Sequence, residues 1–145
     1  MARGDFTLSR VKNELGIEVI ESISLFPMIE PRKISDLPRQ FLDRDGGLAT
    51  LINTEKARSE FLIAPILGEI LERSDQPSSL FSGTDFNVDL EQGLVGCCDF
   101  ILNQSAEQVD IVAPVITIVE AKNESIRSGL GQCIAEMVAA QLLNQ

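Results

Sequence analysis

The pattern of apolar and polar residues is clearest in the second half of the chain. Five consecutive β-branched residues, from Val115 to Val119, predict a strand that is buried on both faces. Glu120 and Lys122 follow directly, and two residues at this spacing point to the same face of an extended chain. Burying such charges is unfavourable unless they are paired or bind something. The pair therefore predicts either an ion pair at a water-accessible sheet edge or a functional site.

A second strand-like run, residues 93–102, precedes this one and carries a single charge, Asp99, in its middle. An aspartate is disfavoured in a strand by both propensity and burial. The polar connection over residues 103–113 allows the two runs to form a hairpin, with the carboxylates of Asp99 and Glu120 side by side. Adjacent carboxylates repel unless a cation lies between them. The hairpin therefore predicts a divalent metal site of hard oxygen ligands, with Lys122 as a catalytic cation beside it.

The first part of the chain predicts short helices. Residues 7–15 form an amphipathic pattern that Gly16 ends, and residues 35–43 predict a Ser-capped helical turn closed by residues 45–47. Residues 17–26 alternate too loosely to distinguish a helix from a strand. We expect no chemistry from this region.

The middle of the chain predicts a long helix and then the first strand. Residues 53–73 have helical spacing, with Asn53 or Thr54 as the cap, and Pro65 predicts a kink or break near Ile63. Residues 81–90 predict the first strand, and residues 91–93 a tight turn.

The last predicted element is a helix over residues 125–145 that Ser125 caps. Gln132 and Glu136 share one of its faces, and Gly129 and Gly131 predict close packing on the sheet. We expect part of the helix end, including Leu142 and Leu143, to be left exposed. A stripe along another face predicts the surface that packs on the strand: Ile126, Leu130, Cys133, Met137 and Ala140.

Together, Asp99 in one strand and Glu120-Ala121-Lys122 closing the next resemble the PD-(D/E)xK nuclease superfamily. The segment around Glu55, Arg58 and Pro65 is similar to the N-terminal nuclease region of type I restriction motor subunits. A Gly-Cys-Cys precedes Asp99 where the family often has proline or another small residue.

The resemblance implies a set of catalytic residues. Asp99 and Glu120 would hold the metal, and Lys122 would position the attacking water or stabilise developing charge. Glu55 would be a further acid from the first helix, with Glu60 and Glu69 as alternatives. Gln132 would be a polar group of the last helix close to the site.

The implied fold class is α/β, with a restriction-endonuclease-like core of a helix, three strands and a helix over residues 53–145. Residues 1–52 would be an N-terminal extension packed on this core. The family core continues into a further strand, which this chain lacks, so we expect an exposed sheet edge. Such an edge, or the C-terminal helix, could support a homo-oligomer.

Composition narrows the chemistry. A chain of 145 residues suits one domain, and the absence of histidine excludes histidine-dependent zinc sites and Ser-His-Asp hydrolases. The three cysteines are typical of small core residues in a reducing compartment. No apolar run approaches the roughly 18 residues of a membrane span, and no leader opens the chain, so we expect a soluble cytoplasmic protein without membrane contact.

A net charge of −10 opposes binding to a phosphate backbone. The imbalance is uneven, because residues 1–73 hold 10 cations and 12 acids whereas residues 74–145 hold 2 and 10. A DNA-facing surface would therefore come from the first half, from Arg32, Lys33, Arg39, Arg44, Lys56 and Arg58.

The expected function is Mg²⁺-dependent hydrolysis of DNA phosphodiester bonds, with Mn²⁺ as a substitute, in restriction or repair. The alternative is a non-catalytic module with the nuclease fold that binds a protein partner through its acidic face.

Overall fold

The protein combines a small antiparallel sheet with helices on both of its faces, in a computed structural model that describes residues 3–123 and 125–145. Its order is a 3₁₀ turn (Arg3–Asp5), α1 (Leu8–Glu14), α2 (Asp36–Ile52), α3 (Glu55–Arg58), a π turn (Ser59–Ile63), α4 (Ala64–Glu72), β1 (Ser79–Asp85), β2 (Cys97–Asn103), β3 (Val115–Val119) and α5 (Ile126–Leu143). Within the described residues, no helix has both the length and the apolar character needed to cross a bilayer.

The predicted hairpin is confirmed. The strands lie in the order β1-β2-β3, and β2 pairs with β3 through Phe100 opposite Val119 and Ile101 opposite Ile118. The prediction that Val115–Val119 is buried on both faces is wrong, because Ile116 is 51% exposed. The reason is position: β3 is an outer strand, and no other described strand pairs with its free edge.

Two apolar clusters hold the sheet between its helices. On one face Ile101 packs with residues of α1 and α5, including Val11 and Ala135. On the other face Phe100 packs against Leu67 of α4. Fully burying an aliphatic or aromatic side chain contributes about 1.5–3 kcal/mol, so this central strand anchors both layers.

The N-terminal segment belongs to the main core. Phe6 and Val11 are buried in the same cluster as the sheet, and the Thr7 hydroxyl caps α1 by accepting from the Arg10 N–H at 3.3 Å. The helix predicted over residues 7–15 is thus confirmed, with Gly16 at a φ of +65° after it. Residues 1 and 2 of the predicted extension lie outside the described residues, and residues 17–34 form no helix or strand.

The predicted turn at residues 45–47 is wrong, because α2 continues to Ile52. The residue that caps its C-terminus, Asn53, has a left-handed conformation. A glycine lowers helix propensity by about 1 kcal/mol relative to alanine. Here Gly46 is buried, and a Cβ at this position would lie 3.3 Å from Leu62 Cδ2. Close packing of α2 on the π turn therefore outweighs the low propensity.

The kink or break predicted near Ile63 takes the form of a π turn, which runs directly into α4 at Ala64 without a non-helical residue. Thr54 caps α3 by accepting from the Ala57 N–H at 3.1 Å, the π turn ends at Ile63, and Pro65 lies in the first turn of α4. Proline lacks the N–H that a residue inside a helix donates to the preceding turn, which accounts for irregular helical hydrogen bonding at this junction.

The first strand ends earlier than predicted, at Asp85 instead of residue 90. Beyond it Phe86 donates to the Gly96 carbonyl at 2.8 Å, and Leu94 donates to the Asp89 carbonyl at 2.7 Å to close a turn. Burial of Phe86 and Leu94 in the core bends the chain at this point.

The helix after Ser125 is confirmed, since the Ser125 hydroxyl accepts from the Arg127 N–H at 3.3 Å. The predicted packing stripe is wrong, because Ile126 is 78% exposed and Met137 64% exposed. Small residues on another face, Ala135 and Ala139, are fully buried instead, because they let the helix approach the sheet closely. Leu142, at 36% exposure, is partly exposed as predicted.

The glycines of α5 pack differently from the prediction. A Cβ at Gly131 would collide with the backbone of Phe6 and Thr7, so this glycine fits the N-terminal segment and not the sheet. A Cβ at Gly129 would lie 3.4 Å from Lys122 Cε.

The three cysteines are free thiols. The prediction that all three are core residues is wrong, because only Cys98 is buried.

Candidate active site

The open end of the β2–β3 hairpin brings Asp99 and Glu120 together. The Asp99 N–H donates to Glu120 Oε1 at 3.2 Å, and the Ala121 N–H donates to Asp99 Oδ2 at 2.7 Å. Side-chain carboxylates thus accept from backbone N–H groups just beyond the last paired residues, Phe100 and Val119. Each carboxylate has one oxygen held by the backbone, which leaves the second oxygen as the one that could bind a ligand.

Lys122 is held at the same end by α3. Its Nζ lies 3.8 Å from Glu55 Oε1, and its carbonyl accepts from Arg58 Nη1 at 3.2 Å. The side chain passes over Gly129, which leaves room for it because it has no Cβ. These contacts fix the lysine next to the hairpin end, although 27% of its side chain remains exposed.

A third carboxylate, Glu136, comes from α5 and is only 2% exposed. Its Oε1 accepts from Gln132 Nε2 at 2.9 Å. Ligand atoms of Cys98, Glu120 and Glu136 all lie within 4.8 Å of one another, a grouping that could hold a metal ion. Asp99 is not a member of that group.

Sequence reasoning missed Glu136. The available signal was its spacing of four residues from Gln132, which puts the two on one helix face. The apolar stripe on the neighbouring face pointed to the wrong packing surface, so no role was assigned to Glu136.

Burial is the first reason why the pKa of Glu120 is raised, and the negative charge of Asp99 adds to it. The Asp99 N–H, Lys122 and Gln132 act in the opposite direction. Burial, followed by the charge of Glu120, raises the pKa of Glu136 to about 7. Two carboxyl groups in such a position favour sharing one proton, because two buried negative charges repel. A divalent cation would relieve the same repulsion.

Cys98 is a poor metal ligand in this setting. Burial raises the pKa of its thiol to about 12, although the Arg3 guanidinium acts in the opposite direction. Arg3 is itself buried, and it donates to Cys98 Sγ at 3.3 Å and to the Gly96 carbonyl at 2.6 Å. Since the thiolate is the form that binds metals, the remaining donors are carboxylate oxygens, which suit hard cations such as Mg²⁺ or Mn²⁺.

A groove of about 470 Å³ opens beside these groups, between the π turn and α5. Glu120, Lys122 and Glu136 form its polar side, and aliphatic residues such as Leu62 and Leu130 form its walls. A ligand in the groove would therefore meet charges on one side and apolar surface on the other.

The structure brings Asp99, Glu120, Lys122 and Gln132 to one place and adds Glu55 through its contact with Lys122. The other two candidate acids have different partners. Glu60 pairs with Lys56 on the exposed side of the helix, and Glu69 accepts from Ser35 and Arg73.

The predicted DNA-facing cations are spread over the molecule. Arg58 lines the groove, whereas Arg44 pairs with Asp45 on α2. Arg32 lies beside α4, in a separate groove with Arg73.

Comparison of this chain with protein-family models, curated proteins and solved structures finds no match.

Proposed function

We propose that this protein is a metal-dependent nuclease that hydrolyses DNA phosphodiester bonds with Mg²⁺, or with Mn²⁺ in its place, in restriction or repair. The observation that carries the proposal is the hairpin end, where Asp99 and Glu120 each accept from the backbone of the opposite strand with Lys122 close by. Perturbed carboxyl groups in a groove are typical of functional sites.

The donor set supports a hard divalent cation. Asp99 and Glu120 would hold it, and Glu136 offers a further carboxylate beside Glu120. A bound cation of this kind activates water and neutralises charge that develops on the phosphate.

The protein's own residues supply the remaining steps. Lys122 can donate a hydrogen bond to the attacking water or to a phosphate oxygen, because among the described residues its Nζ pairs with one carboxylate, Glu55, at the long distance of 3.8 Å. Gln132 keeps Glu136 oriented through a hydrogen bond of 2.9 Å, and its effect on the pKa of Glu120 indicates contact with that carboxyl group too. Preorganised groups of this type stabilise charge that appears in the transition state.

Phosphate contacts are expected to be few. Arg58 and Lys122 are the cations that line the groove, and the whole chain carries a charge of −10. We therefore expect DNA binding that is weak and only shallowly dependent on salt, because few counterions are released.

The second candidate is a non-catalytic module that binds a protein partner. Exposed apolar side chains of α5 favour it: Ile126, which lines the groove, is 78% exposed, and Met137, elsewhere on the helix, is 64% exposed. In that case the carboxylates would have no ligand to hold.

Calorimetric titration with Mn²⁺ separates the two. We expect stoichiometric binding to the wild-type protein and a loss of at least about tenfold in affinity in Asp99→Asn and Glu120→Gln. Asp110→Asn, an exposed acid outside the site, is the matched control and should bind as the wild type does.

In assays of plasmid, linear duplex and single-stranded DNA with Mg²⁺, the wild type and Asp110→Asn should cleave, and Asp99→Asn and Glu120→Gln should lose activity. A wild-type protein that neither binds Mn²⁺ nor cleaves any of these substrates would contradict the nuclease proposal and leave the binding module.

A further inference from the structure

The free edge of β3 lies beside an apolar groove of about 340 Å³ that α5 overhangs. Its walls include Ile116 and Ile118 of β3 and Cys133 and Met137 of α5. Ile116 is 51% exposed and Met137 64% exposed, and none of the groove residues comes from the N-terminal half of the chain. The Asn144 side chain pairs with the N–H and the carbonyl of Val115, each at 2.8 Å, so the open part of this edge lies beyond Val115. A sheet edge of this kind with an apolar wall beside it can accept one more strand.

The same chain carries an uncovered, irregular segment whose sequence suits this edge. Every residue from 20 to 33 is exposed, and none of them lies in a helix or strand. Six of these residues have large apolar side chains that are 62–90% exposed: Ile20, Ile23, Leu25, Phe26, Met28 and Ile29. Monomeric proteins rarely expose large apolar patches, so this concentration of exposed apolar side chains indicates an interaction surface.

The local sequence is that of an edge strand with one covered face. Ser22-Ile23-Ser24-Leu25 alternates polar and apolar residues, so Ile23 and Leu25 would point to one side of an added strand. That side would meet Met137 and Cys133, while the serines would face water.

We propose that two copies of this chain associate by exchanging this segment, with residues 20–26 of each copy pairing with the β3 edge of the other. A second copy is the occupant that the molecule itself specifies, because one chain holds both the unfilled edge and the uncovered apolar segment. The exchange is reciprocal, so a two-fold dimer buries both copies of the segment. The proposal does not depend on nuclease activity.

Net charge opposes the association, since each copy carries −10. Screening by salt should therefore strengthen the dimer. A dimer held by charge contacts would weaken instead.

Disulfide trapping gives a direct test, because Cys133 is an exposed thiol in the groove. The Ile23→Cys/Cys97→Ser variant should form an intermolecular disulfide dimer under mild oxidation, and the further change Cys133→Ser should abolish it. Val109→Cys/Cys97→Ser, with a thiol at a site that is 86% exposed outside both surfaces, is the control and should not cross-link at a comparable rate.

Sedimentation of the full chain at several concentrations tests the equilibrium. We expect a species of twice 15.9 kDa, and Met137→Glu or Ile23→Glu should weaken the dimer by at least about 30-fold. Ile66→Glu, at a 43% exposed aliphatic position on α4, should not. A monomer at every concentration, a cross-link within one chain, or a dimer unaffected by Met137→Glu would each overturn the proposal.

Discussion

Two buried glutamates lie on opposite faces of the sheet, and the protein treats them in opposite ways. Glu69 on α4 is 8% exposed, and its Oε1 accepts from the Ser35 N–H at 2.9 Å, the Ser35 hydroxyl at 2.7 Å and Arg73 Nη1 at 3.1 Å. Glu136 on α5 is 2% exposed, accepts from Gln132 and faces a second carboxylate, Glu120.

The consequence is opposite electrostatics. The Ser35 hydrogen bonds are the main reason why the pKa of Glu69 is lowered, whereas burial and the charge of Glu120 raise the pKa of Glu136 to about 7. A buried carboxylate that accepts from hydrogen-bond donors is stabilised within the fold. A buried carboxylate that faces a second one is destabilised by repulsion, which a bound cation would relieve. The contrast agrees with a structural role for the α4 face and with the chemistry proposed for the α5 face.

The largest expected effect is on catalysis. Lys122→Ala should lower the cleavage rate by about 10²–10³-fold with little change in melting temperature, because it removes a donor and no buried contact of the core. Arg73→Ala is the matched variant on the α4 face and should lower the melting temperature while cleavage persists, because it removes a donor to Glu69. Wild-type turnover in Lys122→Ala would remove this lysine from the mechanism.

The next effect is on stability and concerns helix packing. Gly131→Ala should destabilise the fold by about 3 kcal/mol, because the added methyl group collides with the backbone of Phe6 and Thr7. Gly68→Ala on α4 is the control, since nothing lies within 4 Å of its added Cβ, and it should stabilise by about 0.5–1 kcal/mol. Urea unfolding measures both, and equal effects would show that the two helices pack with equal tightness.

The third effect is a pH dependence. The folded-state pKa of Glu136, about 7, lies above its ordinary value of 4.5, so its stabilising contribution is complete below pH 4.5 and is lost as the pH rises through 7. Glu136→Gln should therefore be more stable than the wild type at pH 8, by roughly 2–3 kcal/mol, and equal to it at pH 4. Thermal unfolding between pH 4 and pH 8 measures this difference. If the difference in stability between the two proteins did not change with pH, the titration of Glu136 would be excluded as its cause.

The smallest expected effect has the opposite sign. The lowered pKa of Glu69 means that its contribution is present above its ordinary value of 4.5 and is lost as the pH falls through the folded-state value. Glu69→Gln should lower the melting temperature at pH 7, and the difference from the wild type should shrink in acid. If both glutamine variants changed stability in the same direction at neutral pH, the contrast between the two faces would fail.

Local patterns in the sequence were sufficient for the elements that depend on neighbouring residues. The caps at Thr7 and Ser125, the irregular helical turn before Pro65 and the hairpin that joins Asp99 to Glu120 all follow from short-range backbone preferences and the direction of the chain. Most of the candidate site could be predicted for this reason, because the alternation of two adjacent strands brings their side chains together.

Only the tertiary structure decided which surfaces are buried. Gly46 lies inside a helix because Leu62 packs on it, and Ile116 is exposed because β3 is an outer strand. The buried face of α5 consists of small residues together with Glu136. Burial depends on which distant segments meet, and those contacts override local propensity when the packing they permit is close enough. For that reason the sequence by itself determined Asp99, Glu120 and Lys122 as candidates, whereas only the fold revealed Glu136 beside them.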